Sequence, residues 1–355
     1  MRRSHFAALT VAVMAASVGG CSDDIGSQQA DVVVDTASEA AWAQYLANVH
    51  FAQGYVPSCE PDPTSWRPRV LVTGFGRFMD NRENATGRMV SRVVPGLEYP
   101  ETGQIDDPAA QTRVKLGVVS LPGVGEVDVC GMVLPVFWDL AAYLVLREAE
   151  IFEPDLVLLN GIADARQPLW LELGSVNQAV ALPDGSGVLV PVEPGTPLLD
   201  EAPPEEQARG LLLSWQEVRA GGEARIAALA AETDDAGTRF GDVVQGVRYA
   251  GYPRASNTYL CNNTTYVVGY VLDHAAETVR LLEPSAPRPG GPTGIDLTFG
   301  PDLSTVPREF VHWPKDLKDT HLDRGADVME HLIAAQLGAQ TEPTRGDPAM
   351  ADVTE

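Results

Sequence analysis

Short apolar runs alternate with segments of helical periodicity along most of this chain, and the alternation limits the folds open to it. The predicted strands are 70–72, 113–122, 155–163 and 308–314. The predicted helices are 84–94, capped by Asn84 or Thr86, 132–155, begun by Pro135, 261–282 and 325–340. Strands that alternate with helices are typical of an α/β sheet covered by helices on both faces. We therefore predict an α/β fold.

The 355 residues divide into unequal parts along the chain. Residues 22–67 are predicted to form a polar tether followed by a short helix, in which Trp42, Tyr45, Leu46 and Val49 share one face. Residues 68–340 are predicted to form one domain. Two stretches rich in Gly and Pro, 184–242 and 283–307, have the composition of insertions, and the acidic tail 341–355 is predicted to be disordered.

The N-terminus has the composition of an export signal. Arg2 and Arg3 precede an apolar core at 6–18, which is too short to span a bilayer as a mature helix. The core ends in "VGGC", which is similar to a bacterial lipobox with Cys21 as the lipidated residue. Ser22 after Cys21 predicts an outer-membrane lipoprotein of the cell envelope that faces the periplasm. The alternative is an ordinary signal peptide with a chance cysteine.

Charge and cysteine content narrow the function classes. The formal net charge is −24, and no cluster of Lys and Arg would suit phosphate contacts, so nucleic-acid binding is not expected. In an oxidising compartment Cys59 and Cys130 are free to form a disulfide. Cys261 is then left over, and an unpaired cysteine in an exported protein is a candidate reactive thiol.

Cys261 is predicted to lie in the first turn of a helix. There the helix dipole and the unpaired N–H groups favour a thiolate. The alternative is a structural thiol, since cysteine is among the most buried residue types.

Two further residues are candidates for catalysis. His312 ends an apolar strand before a proline, and open α/β sheets place catalytic groups at the carboxyl ends of their strands. Glu172 is a single acid between two leucines, and a buried carboxylate needs a partner such as an imidazole. The alternatives are a histidine packed beside Trp313 and a glutamate on the outward face of a strand.

Four motifs in one order resemble the pyroglutamyl peptidase I family of cysteine peptidases. "VLVTGFGRF" followed by "NAT" is similar to the family's opening strand and loop. "GIADAR" with "LELGSVN", "YLCN" and "EFVHWP" are similar to its later motifs, and the order Glu, Cys, His is the family's. The resemblance extends from Val70 to about Gln340. It implies a three-layer α/β/α fold with a central mixed, mostly parallel sheet.

The same resemblance implies a catalytic set. Cys261 would be the nucleophile, His312 the general base and acid, and Glu172 the residue that orients His312. No metal and no cofactor would be needed. The implied substrate-binding residues are Phe75 and Phe78, which would sandwich a pyrrolidone ring, with Asn84, Ile162 and Leu260.

Several positions depart from the family pattern. Arg77 replaces a proline, and Met79-Asp80 replaces two glycines, while Asn257 replaces a glycine before the nucleophile motif. Leu182 stands about where the family carries an arginine near the reaction centre.

The leading interpretation is a cysteine peptidase that removes an N-terminal pyroglutamyl or similar blocked residue from peptides. The expected partners are such a blocked peptide and a membrane reached through the lipid, and an oligomer is compatible with the resemblance. The alternative is a catalytically weak or inactive envelope lipoprotein that binds a small ligand or peptide in the same pocket.

Overall fold

The computed structural model describes residues 32–79, 81–163 and 167–352 of the chain. The predicted signal peptide, Cys21 and Asp80 lie outside the described residues. Within the described part, none of the helices has the length and apolar character required to cross a bilayer.

Fifteen strands are described. They are β1 (Val33–Val34), β2 (Arg69–Phe75), β3 (Arg113–Leu121), β4 (Gly125–Leu134), β5 (Leu156–Ala163), β6 (Gln167–Glu172), β7 (Gly174–Val176), β8 (Ala208–Gly210), β9 (Leu212–Leu213), β10 (Val244–Ala250), β11 (Thr278–Leu281), β12 (Glu283–Pro284), β13 (Ile295–Thr298), β14 (Arg308–Pro314) and β15 (Thr344–Arg345).

Eight α-helices are described with them. They are α1 (Glu39–Gly54), α2 (Ala85–Val93), α3 (Pro108–Gln111), α4 (Leu140–Phe152), α5 (Trp215–Leu229), α6 (Phe240–Val243), α7 (Leu260–Asp273) and α8 (Thr320–Leu337). Short 3₁₀ turns lie at Pro204–Glu206, Ala255–Asn257 and Pro348–Met350.

The central sheet has the strand order β10-β6-β14-β5-β2-β4-β3. Neighbouring strands run parallel except at β6–β14 and β4–β3, which are antiparallel. The middle strands β2 and β5 are buried along most of their length because helices cover both faces, which explains their continuous apolar runs. The predicted α/β/α architecture with a mixed, mostly parallel sheet is confirmed.

Helices form one layer on each side of the sheet. α8 contacts both α2 and α5 in one layer, while α4 and α7 contact each other in the second. α2 lies against β2 at backbone distance: a Cβ on Gly74 would come within 2.4 Å of the Thr86 carbonyl carbon, and one on Gly87 within 2.4 Å of the Phe75 oxygen. Glycine is required at such an approach, and it brings the start of α2 onto the end of β2.

Two predicted helices are wrong over part of their length, and the closing helix, predicted at 325–340, spans Thr320–Leu337 instead. The segment 132–155 does not begin as a helix, because Met132, Val133 and Leu134 continue β4 beside β2. α4 begins only at Leu140, after Asp139 with a φ of 57°. The segment 261–282 is helical only to Asp273, and its end forms β11, which pairs with β13. In both places one apolar run spans two elements, so periodicity alone does not mark the boundary.

The predicted disorder of the tail is wrong for residues 341–352. Thr344 and Arg345 pair with β9, the indole N–H of Trp215 donates to the Thr344 carbonyl, and the Tyr252 hydroxyl donates to the Gly346 carbonyl. These backbone groups are therefore satisfied by the domain. Residues 353–355 lie outside the described residues.

The stretches predicted as insertions take part in the domain. The first, 184–242, contains α5, which packs on α8 and β10, and β9, which pairs with Arg308 of β14. The second, 283–307, contains β12 and β13, which pair with β1 and β11.

The segment before β2 is fastened to the domain. α1 buries Trp42, Tyr45 and Val49 on the predicted face. A disulfide then joins Cys59 to Cys130 of β4. Next to it, the buried Glu148 carboxylate accepts hydrogen bonds from the Tyr55 hydroxyl and from the backbone N–H groups of residues 58 and 59.

Candidate active site

Cys261 lies in the first turn of α7 and is the free cysteine of the described chain. Tyr259 precedes the helix with extended backbone, and the Asn263 N–H makes the hydrogen bond to its carbonyl. The N–H groups of residues 260–262 come before that bond, so they have no acceptor within the helix. Cys261, which is partly exposed, therefore lies where unpaired donors and the positive end of the helix dipole converge.

The thiol rests directly on the carboxyl end of β5. A Cβ placed on Gly161 would lie 2.8 Å from Cys261 Sγ and 2.7 Å from the ring of Phe310. A side chain at position 161 would therefore displace the thiol or the ring. His312 is the register partner of Gly161 on the adjacent β14, which brings the imidazole to the same end of the sheet.

His312 and Glu172 form a hydrogen-bonded pair. The Nδ1 atom of His312 lies 2.6 Å from Glu172 Oε1, and the two side chains are 16% and 13% exposed. β6 and β14 are antiparallel neighbours, so Glu172 reaches His312 across the strand pair. The Phe310 ring contacts the imidazole edge-on at 4.9 Å. With Nδ1 held by Glu172, Nε2 is the ring nitrogen left for Cys261.

The electrostatics favour a charged imidazole. Burial alone lowers the pKa of His312, but the charge and hydrogen bonding of Cys261, followed by those of Glu172, raise it to about 10. His312 is therefore protonated at neutral pH. An adjacent imidazolium and a helix N-terminus are two of the surroundings that favour the thiolate form of a cysteine.

A cavity of about 60 Å³ opens beside the thiol. The structure brings all five predicted substrate-binding residues to this cavity together with Cys261. The lining residues are Phe75, Phe78, Asn84, Val136, Ile162, Tyr259, Leu260 and Cys261.

Asn84 supplies the cavity with an unused donor. Its side chain is 1% exposed, and its Oδ1 caps α2 by accepting from the Thr86 N–H and hydroxyl. Its Nδ2 is buried without a partner. A buried donor without a partner is costly, so this amide has a hydrogen-bonding capacity that the described chain leaves unused.

A second cavity of about 110 Å³ also borders Cys261, and His312 and Glu172 line it. Ser175, Pro253, Asn257 and Tyr259 are among its lining residues. Val136, Ser175, Pro253 and Tyr259 were not predicted from the sequence. Only Tyr259 carried a signal, because it belongs to the quoted "YLCN" motif.

The departures from the family pattern leave both cavities without a described Arg or Lys side chain. Arg77 is buried and donates to the Gly103 carbonyl, and it lines neither cavity. Leu182 is 47% exposed, and its carbonyl accepts from the Trp138 indole. Among the described residues, no Arg or Lys lines either cavity.

One cluster of potential metal ligands occurs in the described part of the chain, formed by Cys59, Cys130 and Glu148. Its sulfurs are joined in the disulfide, and its carboxylate is used by the hydroxyl and backbone donors described above. This cluster is therefore structural.

No protein-family model matches the chain. Among curated proteins, the pyrrolidone-carboxylate peptidase of Pyrococcus furiosus is 27% identical over 133 residues, which is 36% of this chain and 51% of that protein. The chain thus matches about half the length of this relative.

Solved structures were also compared. Pyroglutamyl peptidase I from Bacillus amyloliquefaciens has a TM-score of 0.49 at 12% identity, covering 78% of this chain and 100% of that chain. Pyrrolidone carboxyl peptidase from Thermococcus litoralis has a TM-score of 0.46 at 17% identity, covering 76% and 93%. The chain is similar to pyrrolidone-carboxylate peptidase in a divergent form.

Proposed function

We propose that this protein is a cysteine peptidase that removes an N-terminal pyroglutamyl residue from peptides. The observation that carries the proposal is one arrangement: Cys261 lies between the Glu172–His312 pair and a small cavity in which the buried Asn84 amide has no partner. The site would thereby combine a nucleophile, an oriented acid and a hydrogen-bond donor for a neutral acyl group. The partial similarity to pyrrolidone-carboxylate peptidase is consistent with this assignment.

The cavity suits a neutral five-membered lactam. Phe75 and Phe78 would hold the flat ring, and the Asn84 Nδ2 would donate to its oxygen. An acyl group with a free carboxylate would need a cation, and no described Arg or Lys lines the cavity. The pocket therefore favours pyroglutamyl over glutamyl substrates.

Acylation starts at the thiolate. Cys261 Sγ attacks the carbonyl carbon of the pyroglutamyl–X amide, and the carbonyl oxygen takes the negative charge. The N–H groups at the start of α7 would stabilise that oxyanion, and one such donor typically contributes about 3 kcal/mol. His312 then donates its proton to the leaving amine, the C–N bond breaks, and a thioester of Cys261 remains.

Deacylation uses the same groups. The neutral His312 takes a proton from a water molecule, which attacks the thioester carbonyl and releases pyroglutamate with the thiolate restored. Glu172 keeps the imidazole oriented and stabilises its charged form in both steps. The second cavity, beside His312, would receive the leaving peptide.

The first test is release of a fluorescent amine from a pyroglutamyl amide by the full-length protein in detergent, beside Cys261→Ala. We expect cleavage by the wild type and none by the variant. A glutamyl amide is the matched substrate control and should not be cleaved.

A silent wild type would reject pyroglutamyl specificity, and iodoacetamide would then separate the remaining explanations. Rapid alkylation of Cys261 at neutral pH would indicate a hydrolase of another acyl amide. Slow alkylation would favour the inactive binding protein.

We also propose that the protein is anchored in the bacterial cell envelope through lipid on Cys21. The proposal is supported by the charged and apolar segments before the "VGGC" sequence and by the Cys59–Cys130 disulfide, which suits an oxidising compartment. Labelling with radioactive palmitate should mark the wild type but not Cys21→Ser. A labelled variant, or an unlabelled wild type, would contradict the anchor.

A further inference from the structure

Glu309 is a fully buried carboxyl group that the mechanism above does not use. It lies in β14, three residues before His312, and is 0% exposed. Side chains alternate between the faces of a strand, so Glu309 points to the opposite face of the sheet from His312 and Phe310. Neither of its carboxyl oxygens has a hydrogen-bond partner of standard geometry.

The carboxyl group lies where β6 separates from β14. The two strands pair only at Val311–Leu171 and His312–Trp170, so Glu172 lies just beyond the paired stretch. The Leu173 N–H donates to Ala250 on β10, and successive N–H groups point to opposite sides of a strand, so the Glu172 N–H points towards β14. The backbone of Glu172 and Phe310 acts to lower the pKa of Glu309 against the effect of burial, although neither makes a hydrogen bond of standard geometry to its carboxyl group.

The charges around Glu309 are mostly negative or already paired. On β6, Glu172 is the charged neighbour, and burial followed by the charge of Glu172 raises the pKa of Glu309 well above its usual value. On β10, Tyr249 interacts electrostatically with Glu309. The guanidinium of Arg219 on α5 lies over the ring of that tyrosine.

Several other charged groups on these elements and on α8 are paired with each other or with other residues. Arg219 is paired with Glu223 and Asp352, and Arg308 on β14 is paired with Asp273. On α8, His321 interacts with Arg324 and Asp234. Within the described residues, Glu309 therefore has no salt bridge to a cation.

We propose that Glu309 is a positioning residue that supports the Glu172 backbone where β6 separates from β14 and so keeps Glu172 on His312. This inference rests on the proposed function of the Cys261–His312–Glu172 set. A neutral carboxyl group suits the task because an ionised one would place a second negative charge beside Glu172. Two substitutions separate the parts of the proposal: Glu309→Gln keeps a neutral polar group of equal size, and Glu309→Leu fills the space without one.

Kinetics with a pyroglutamyl amide give the first readout. We expect Glu309→Gln to retain kcat within about twofold of the wild type, and Glu309→Leu to lose about tenfold or more in kcat with little change in KM, because misplacement of a catalytic group costs rate. Exposed Glu205→Gln is the matched control and should change nothing. Wild-type kcat in Glu309→Leu would show a space-filling role and overturn the proposal. Loss of activity in Glu309→Gln would equally overturn it.

A second readout does not require the proposed substrate. The ring ¹⁵N resonances of His312 and the rate of Cys261 alkylation by iodoacetamide should be unchanged in Glu309→Gln and altered in Glu309→Leu. If pyroglutamyl amides are not cleaved but these signals change as expected, only the proposed substrate fails. Unchanged signals in both variants would reject the positioning role.

The pH dependence of stability gives a third readout. Above pH 4.5 the unfolded chain releases the Glu309 proton while the folded chain keeps it, so the wild type loses stability as pH rises towards the raised pKa. Glu309→Gln has no such proton, so the unfolding free energy of the variant should rise relative to that of the wild type as pH increases above 4.5. A constant difference across that range would show that Glu309 is not held protonated.

Discussion

At the scale of single residues, His312 determines how the site responds to pH. Its pKa is raised from the usual 6.5 to about 10. Of the groups that raise it, Cys261 has the larger effect and Glu172 the smaller. The folded protein binds the His312 proton more tightly than the unfolded chain does. The contribution of this proton to the free energy of unfolding is therefore fully present below pH 6.5 and is lost as pH rises through about 10. We expect ¹⁵N NMR of labelled histidine to show His312 protonated at pH 8.

Cys261→Ala provides the matched comparison for that titration. It removes the thiolate but leaves the Glu172 hydrogen bond, so the pKa of His312 should fall towards its usual value. His312→Asn identifies the resonance. A pKa that is the same in the wild type and in Cys261→Ala would contradict an ion pair between Cys261 and His312.

Asn84 combines a structural and a binding role that substitutions can separate. Serine also caps helices, so Asn84→Ser should keep the cap on α2 while removing the free Nδ2 donor. We expect roughly a tenfold loss in kcat/KM for a pyroglutamyl amide, the value of about one hydrogen bond, with little change in melting temperature.

Asn84→Ala is the control, since it removes both roles. It should lose the same activity and in addition about 1 kcal/mol of stability through the missing cap. If Asn84→Ser cleaves the amide as fast as the wild type, Asn84 does not bind the acyl group.

At the scale of elements, the site depends on how closely α7 approaches β5. Gly161→Ala would place a Cβ 2.8 Å from Cys261 Sγ and 2.7 Å from the Phe310 ring. We expect the thiol to move, and a displacement of this kind can cost about a hundredfold in rate. Thermal unfolding and single-turnover assays would separate lost stability from lost chemistry.

Gly300→Ala is the matched control for this approach. It introduces the same Cβ at an exposed position where no atom lies within 4 Å. Both its activity and its melting temperature should match those of the wild type. An active Gly161→Ala enzyme would show that α7 can move away from β5 without disturbing the nucleophile.

Element type was more predictable than element boundaries. The apolar runs of β5 and β14 and the cap of α2 follow from local pattern. The start of α4 does not, because the apolar run from Met132 passes without interruption from β4 towards the helix. The ordered conformation of the tail does not follow from local pattern either, because Thr344 pairs with Leu213, a residue remote in sequence.

The site was predictable to a different degree for each residue. The resemblance gave Cys261 and five other residues that line the small cavity but not Val136 or Tyr259. Local pattern left Glu172 open between a surface acid and a partner of His312. Glu309 could not be found in this way. Its burial depends on where β6 separates from β14, and strand register is a tertiary property that residue types do not fix locally.

At the scale of the whole molecule, three distant parts of the chain meet at one end of the sheet. Glu172, Cys261 and His312 come from β6, α7 and β14, and the register of β14 with β5 aligns them. Long loops between such segments cost little entropy as they lengthen. The stretches that separate the three residues can therefore add β9, α5 and β13 to the domain without displacing the site.

The Cys59–Cys130 disulfide should govern the stability of the molecule without governing its chemistry. It joins residues 71 positions apart, and a loop of that size is expected to contribute up to about 4 kcal/mol by restricting the unfolded chain. Urea unfolding of Cys59→Ala/Cys130→Ala should reveal most of this loss. The kcat at low temperature should remain that of the wild type, because neither cysteine lines a cavity at Cys261.

Reduction of the disulfide in the wild type is the control, because it breaks the bond without removing side-chain volume at Cys59 and Cys130. It should reproduce the destabilisation, whereas Cys261→Ala, which lacks the free thiol, should keep the full stability of the oxidised protein. Glu148 would still accept its hydrogen bonds from Tyr55 and the following backbone, so the segment before β2 should stay docked in the reduced fold. Equal urea midpoints for oxidised and reduced wild type would mean that this docking, and not the covalent bond, holds the N-terminal segment on the domain.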